Sequence, residues 1–330
     1  MVSPEQRTSE PAKVLVSIGL PVYNGENFLE AAVRSVLSQS LDDLQLVISD
    51  NASTDRTAEI CRDYAAADRR VIYLRNETNL GAAPNYNRTF HESTGRYFKW
   101  LAHDDQMGPQ YLERTVGALE ARPEAVLCNS VVEYIDAQDK TLGYYDSGLA
   151  LADRERPSDR FAAMILRSHS CVDFFGVQRR GAMIDSLLHG RFHGADRAYL
   201  AQIALRGRLV QLREPLLRMR EHPGRYTRQK SSSRERLAWH DSRRMTRLSF
   251  PTFHLYGEYC RMVKAANLPP DERSRCWRVL TRWWFCNWNA IRVGVDVMAV
   301  FAPGVVGYAE HTKNRLFGAA PGHFLNANGR

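Results

Sequence analysis

What the chain lacks narrows its chemistry first. Six cysteines, at positions 61, 128, 171, 260, 276 and 286, form no C-x-x-C pair and no Cys/His zinc spacing, which excludes a zinc ribbon and a disulfide scaffold. Free thiols in a reducing compartment are the simplest account. No uninterrupted apolar run reaches the roughly 18 residues of a membrane-spanning helix, and the opening MVSPEQRTSEPAK has no apolar signal-peptide core. A cytoplasmic protein is therefore expected, with residues 1–12 a disordered tail. Internal repeats and low-complexity segments are missing too. The turn after the first apolar strand reads P-V-Y-N-G-E, not the G-x-G-x-x-G that admits a dinucleotide pyrophosphate, which excludes a dehydrogenase.

What is present is an ordinary globular composition. At 330 residues, 44% hydrophobic and 25% charged, the chain is long enough for one large α/β domain plus an appended module. The net charge of +8 is unevenly placed: Arg206 to Arg247 hold thirteen Lys/Arg against four Asp/Glu, so the remainder is close to neutral. Such a block can meet phosphates or anionic lipid, or simply face solvent. No nucleic-acid recognition motif accompanies it, so nucleic acid is not an expected partner.

Strands are predicted at Val14–Leu20, Leu44–Ile48, Val71–Leu74, Tyr97–Leu101 and Val126–Val132, and helices at Phe28–Ser38, Thr57–Ala67, Pro84–His91 and from Pro109 to Ala121. This alternation implies a mainly parallel, Rossmann-like sheet with helices on both faces, whose ligands sit beyond the C-terminal ends of the strands. The polar clusters fall at those ends: Tyr23-Asn24, Asp50-Asn51, Asn79 with Gly81, and Asp104-Asp105. After Tyr134 the rhythm breaks. Residues 137–160 read as a mobile connection, Cys171–Gln178 as strand-like, Asp196–Leu205 as helix, Leu209–Leu212 as a short apolar stretch, and the chain from Leu237 as helical.

The stretch KWLAHDDQMGP ends a buried strand on two adjacent carboxylates. Like charges side by side repel and are costly to desolvate, so they await a cation. Mg²⁺ or Mn²⁺ suits them, because such ions take one or two protein carboxylates and complete their shell with phosphate oxygens and water. An acid pair alone also arises as a cap or turn, the reading given to Asp42-Asp43.

The longer stretch SIGLPVYNGENFLEAAVRSVLSQSLDDLQLVISDNASTDRT, with Asn79-x-Gly81 and the acid pair after the fourth strand, resembles the family 2 glycosyltransferases. GVQRRGAM, GADRAYLAQIALRG and LREPLLRMREHPG continue the likeness in the same order, so that it covers roughly residues 14–225. The resemblance implies a GT-A fold and inverting transfer of a sugar from a nucleotide-diphosphate donor. UDP is the default nucleotide, with dTDP and GDP also used. The acceptor is a hydroxyl of a saccharide, lipid-linked or small-molecule substrate, in polysaccharide, glycolipid or secondary-metabolite assembly. It divides the chain into a catalytic domain at 13–235, with a nucleotide-sugar half at 13–135 and an acceptor half at 136–235, and a helical region at 236–330.

Residue by residue, the resemblance implies that Pro21, Tyr23 and Glu26 line the base and ribose pocket, and that Asp50 accepts hydrogen bonds from base or ribose. Asn79 joins this nucleotide-sugar set. Asp104 and Asp105 hold the metal and the sugar diphosphate, His222 stands near the diphosphate, and Asp196 is the catalytic base. Simpler roles stay open: Tyr23 as a packed aromatic, Asp50, Asp196 and Glu26 as helix caps, His222 as a turn residue. Three departures from the family pattern stand out. D-x-D-D is Ala102-His103-Asp104-Asp105, which puts metal dependence in question. Asn51 replaces an acid, and Tyr86 replaces an arginine, with Arg75 and Arg88 nearby. A sugar-phosphate nucleotidyltransferase, which would carry a Gly-rich basic loop after the first strand, and a non-catalytic nucleotide-sugar binder are the alternatives.

Trp277, Trp283, Trp284, Trp288, Ile291, Val295 and Met298 recur at roughly helical spacing, with Arg273, Arg275, Arg278, Arg282 and Arg292 between them. One amphipathic helix is expected. Its apolar side is assigned to core packing, to a homodimer seam through 270–300, or to peripheral contact with the inner face of a membrane.

Overall fold

The computed structural model of the protein describes residues 14–225 and 250–301. The expected N-terminal tail, residues 226–247 of the basic block and the helical expectation for 237–249 lie outside the described residues.

Strands β1 (Val16–Val22), β2 (Leu44–Asp50), β3 (Val71–Arg75) and β4 (Tyr97–Trp100) alternate with helices α1 (Leu29–Leu37), α2 (Thr57–Ala67) and α3 (Ala82–His91). They pair in parallel in the order β3-β2-β1-β4. β1 and β4 are buried along their whole length, as strands covered on both faces must be. Beyond β4 the sheet turns mixed. It continues through β8 (Val177–Arg179), β6 (Ala125–Ile135), β9 (Arg208–Arg220) and β5 (Gln106–Met107), with β7 (Thr141–Tyr145) on β6. The expected parallel arrangement thus holds for the first four strands, while β8, β7 and β5 pair antiparallel.

One cluster of buried residues lies under α1, α2 and α4 (Tyr111–Glu120) on one face of the sheet. The other gathers Trp100 with α5 (Pro157–Ile165), the short α6 (Arg180–Met183), α7 (Ala195–Arg206), α8 (Pro251–Ala265) and α9 (Pro270–Trp283). The C-terminal helices therefore share a core with the sheet. α7 is buried nearly all round, which is why its sequence carries little amphipathic signal.

Three sequence expectations change. Residues 137–160 are ordered: β7 pairs with β6, a 3-10 turn at Leu149–Ala152 buries both of its ends, and Pro157 opens α5. Cys171–Gln178 is no strand. Cys171 adopts a left-handed φ of 58° and a 3-10 turn follows at Val172–Phe175, so only β8 remains extended. The turn sends Val172 and Phe174 into opposite cores, with Phe174 stacked on Trp100 at 4.4 Å, a division that an apolar run does not reveal. The Trp-rich segment breaks between α9 and α10 (Asn289–Phe301), where Asn287 and Trp288 have φ of 51° and 59°.

One irregularity positions the site. Pro215 in β9 has no N–H for the ladder, and the register with β6 shifts around Val131 there. The Ser130 hydroxyl accepts the amides of Leu216 and Leu217 at 3.3 and 3.0 Å. The end of β9 can then pair with β5, Arg218 opposite Gln106, which brings Arg220 and His222 to the loop of the acid pair.

Candidate active site

The first two strand-end loops are laced together. Asn24 N–H donates to Ser53 Oγ at 2.9 Å, Gly25 N–H to Thr57 Oγ1 at 2.8 Å and Glu26 N–H to Asp55 Oδ2 at 3.1 Å. In return, Asn24 Oδ1 and Glu26 Oε2 accept the amides of Thr54 and Arg56 at 2.9 and 3.0 Å. Glu26 thus supports the start of α2, not of the helix that follows it in sequence. Gly25 is needed at this crossing, since a Cβ would stand 2.5 Å from Val22 and 2.6 Å from His103.

Pro21 is buried in β1 opposite Ser49, and Tyr23, just beyond the strand, is 45% exposed. Asp50 is fully buried. Its Oδ1 accepts the Ser53 amide at 2.8 Å, and its Oδ2 accepts the Tyr73 hydroxyl at 2.9 Å and Arg75 at 3.2 Å. Burial, then the bond to Asp50, pushes the Tyr73 phenol up to about 12. Of the two arginines near Tyr86 in sequence, Arg75 is the one at Asp50; Arg88 bonds Asn76 instead. Asn51 uses both ends of its amide, donating to Asn79 Oδ1 and Gly81 O and accepting from Asn76 and Leu80. A carboxylate cannot make the two donations, which accounts for asparagine where the family pattern has an acid. Asn79 Oδ1 also accepts the Gly81 amide, so this side chain shapes the turn into α3.

The acid pair is asymmetric. Asp105 is buried, and its Oδ1 accepts the Arg220 amide at 2.9 Å. Asp104 is buried too, slightly less deeply, with its Oδ2 3.0 Å from His222 Nε2. Burial acts to raise Asp104, but the His222 bond and the charges of His103 and Arg225 hold it below the usual carboxylate range. Burial, then the charge of Asp104, pushes Asp105 up. Two ligands on neighbouring vertices of an octahedral ion at about 2.1 Å stand roughly 3.0 Å apart, which is the separation of Asp104 Oδ2 and His222 Nε2, so these two side chains could share one such cation. Among the described residues no group of three or more His, Cys, Asp or Glu is arranged to hold a metal, so ligands beyond these two would come from the donor and water.

Cations surround this pair. Arg220 donates to Asp104 O at 3.1 Å and to Asp139 Oδ1 at 2.6 Å, its guanidinium 4.7 Å over Phe28; Phe28 in turn lies 4.8 Å from the His222 ring. Arg225 adds charge from the loop after β9. Below stands Lys99, fully buried, its Nζ 4.8 Å over Tyr111 and 3.3 Å from Met107 Sδ. Burial drives this ammonium down to about 7, against the pull of Asp105. Lys99 carried no motif; its only signal was a charge inside an apolar strand.

Asp196 lies in the first turn of α7. Gly194, left-handed at φ 86°, precedes the helix without a side-chain capping bond, and Asp196 Oδ1 accepts the neighbouring Arg197 amide at 2.8 Å. It is therefore not the N-cap. Around it gather His189, His169, Cys171 and Tyr259, each of which feels its charge. Tyr86 links the two acid groups: burial, then Asp104, Asp105 and Asp196, pushes its phenol well up. Its ring packs 4.8 Å from His189. Tyr259 comes from α8, and among the described residues its hydroxyl is a buried polar atom with no hydrogen-bond partner.

Comparison with known proteins agrees with this architecture. Residues 17–182 match the family model described as glycosyl transferase family 2. An uncharacterized glycosyltransferase of Rickettsia typhi is 33% identical over 171 residues, which are 51% of this chain and 51% of that protein. The chain spans about half the length of the curated relatives it matches. Among solved structures, S. aureus TarS in complex with UDP-GlcNAc matches with a TM-score of 0.59 at 14% identity, over 82% of this chain and 72% of that one. The mannosyltransferase PcManGT from Pyrobaculum calidifontis, in complex with GDP-Man and Mn²⁺, matches with a TM-score of 0.51 at 16% identity, over 93% and 84%. At such identities the structural likenesses establish the fold alone, and that fold is the α/β GT-A arrangement. The family match spans half of the sequence: the chain belongs to glycosyl transferase family 2.

Proposed function

We propose that the protein is an inverting glycosyltransferase that moves a sugar from a nucleotide-diphosphate donor, a UDP-sugar first among them, to an acceptor hydroxyl, with Mg²⁺ or Mn²⁺. The observation that carries this reading is the Asp104–His222 pair, 3.0 Å apart, in a site whose buried Tyr86 feels the charges of Asp104, Asp105 and Asp196 alike. The nucleotide belongs at the first two strand ends, its base on Tyr23 and its polar edge toward Asp50 and Arg75. Pro21 forms the pocket floor, and Glu26 and Asn79 hold the surrounding loops. Asp104 and His222 would hold the ion, with Asp105 behind; bound there, the cation neutralises charge on the departing diphosphate. Arg225 and Arg220 add positive charge on the same side.

The acceptor hydroxyl is a weak nucleophile, and Asp196 takes its proton as the oxygen attacks the anomeric carbon. The new C–O bond forms as the bond to the diphosphate breaks, and a single displacement inverts that carbon. A saccharide, lipid-linked or small-molecule acceptor enters from the Asp196 side.

The test is Asp196→Asn. It is expected to lower transfer by about 10²–10⁴-fold while leaving donor binding within about twofold. Near-normal turnover removes the base assignment. Loss of donor binding along with turnover removes the division of the site into two halves.

A further inference from the structure

The Trp-rich C-terminal segment divides its aromatics between two environments. Trp283 is buried, 5.1 Å from Tyr256 and 6.2 Å from Tyr259, and anchors α9 in the core. Past the break, Phe285 is 86% exposed, Trp288 64%, Ile291 56% and Met298 53%. Ile291, Val295 and Met298 follow one another at helical spacing along α10 and share a face, and Trp288, in the break before the helix, meets Ile291 at its start. A hollow of about 310 Å³ opens among Trp284, Phe285, Trp288 and Ile291. A contiguous apolar surface of this kind marks an interaction site.

Charge identifies the occupant. Between 272 and 298 the chain has Arg273, Arg275, Arg278, Arg282 and Arg292 against only two acids. Both acids are turned inward: Glu272 accepts the Ser158 amide at 3.0 Å and Asp296 the Thr252 amide at 2.7 Å. Arg278, Arg282 and Arg292 are exposed, Arg282 three residues before Phe285 and Arg292 next to Ile291 in sequence. A second copy docking face to face would set these cations against their own images. An anionic bilayer surface satisfies both features, taking aromatic and aliphatic groups at the headgroup boundary and arginines at the phosphates. Among the described residues no helix is long and apolar enough to cross a membrane, so the contact lies in the interface plane.

We propose that Phe285, Trp288, Ile291 and Met298, framed by Arg278, Arg282 and Arg292, dock the protein on an anionic phospholipid surface. The contact is separate from the transfer chemistry and stands or falls without it. The experiment is sedimentation of the full chain with equimolar phosphatidylglycerol–phosphatidylcholine vesicles, with pure phosphatidylcholine vesicles as control. Binding is expected to the anionic vesicles alone and to weaken as salt is raised. Phe285→Ser with Ile291→Ser is expected to cut it about tenfold. Arg282→Gln and Arg292→Gln are expected to cut it about fivefold each. All four side chains are exposed, so thermal melting should not move, and it separates lost binding from lost folding. No binding by the intact chain, or equal binding to neutral vesicles, overturns the proposal. So does a concentration-dependent dimer, without vesicle binding, that the apolar double variant dissolves.

Discussion

Lys99→Met tests the electrostatics under the acid pair most directly. The lysine is fully buried, and its ammonium is brought down from 10.5 to about 7 by loss of water, with Asp105 only partly offsetting this. At about 1.4 kcal/mol per unit, that depression corresponds to roughly 5 kcal/mol of native-state destabilisation where both states are charged. Methionine has a similar volume and no charge to desolvate. It gives up the contact with the Tyr111 ring, worth about 1–2 kcal/mol, and removes one of the cations near Asp105, with Arg225 remaining. The variant is therefore expected to be about 2–3 kcal/mol more stable than the parent at neutral pH. The pH dependence has a fixed sign. Between about 7 and 10.5 the unfolded lysine binds a proton that the folded one has released, so the parent gains stability as pH rises through that window. The advantage of the variant is largest at and below pH 7 and disappears toward 10.5. Urea denaturation followed by tryptophan fluorescence across this range measures it. A variant less stable than the parent at pH 7, or a difference that does not shrink as pH rises, refutes the reasoning and makes Lys99 a required partner of Asp105.

Other expectations concern single contacts. His222→Ala removes the ring 3.0 Å from Asp104 Oδ2 and should weaken Mn²⁺-dependent donor binding at least about tenfold in calorimetry; an unchanged requirement for the ion removes the ligand role. Arg75→Ala leaves the buried Asp50 carboxylate with only Tyr73 and Ser53, which should cost about 1–3 kcal/mol. An unmoved denaturation midpoint contradicts that. Tyr259→Phe deletes a hydroxyl with no partner among the described residues and should stabilise the fold by about 1 kcal/mol. A clear loss of stability instead indicates that the hydroxyl is bridged to a neighbour such as Arg197.

The first half of the fold was legible in the sequence because local pattern and long-range structure agree there. The strands β1 to β4 are mostly apolar runs, each followed by a polar cluster, and a parallel sheet requires those clusters to converge at one edge. The second half was less legible because its pairings are made over distance. Nothing near Cys171–Phe175 signals that Phe174 must reach Trp100, nor does residues 137–160 announce a strand that only β6 can complete. The buried helix α7 lost its periodicity for the same reason. At the candidate site, Asp104, His222 and Asp196 were singled out through the family resemblance, whereas Arg220 and Lys99 act through burial and reach, which spacing does not encode.

The departures at 51 and 102 bear on one question, namely how a site with fewer acids would hold the divalent ion proposed for it. Asn51 is committed to the loops and offers no ligand, and Ala102 has no side-chain oxygen. Asp105 faces Arg220 and Lys99 more than solvent. What remains for a cation is one carboxylate and one imidazole, with Arg225 near enough to lower both acids of the pair. Two protein ligands in a positive surrounding bind a free ion weakly, but a diphosphate brings oxygens and negative charge of its own. On this reading ion and donor bind together, each raising the affinity of the other by the same factor, as linkage demands. Calorimetric titration of Mn²⁺ should then give little heat without nucleotide and a saturable site with it. Tight binding to the free protein would mean that Asp105 leaves Arg220 to join Asp104, which is the arrangement the acid pair alone suggested.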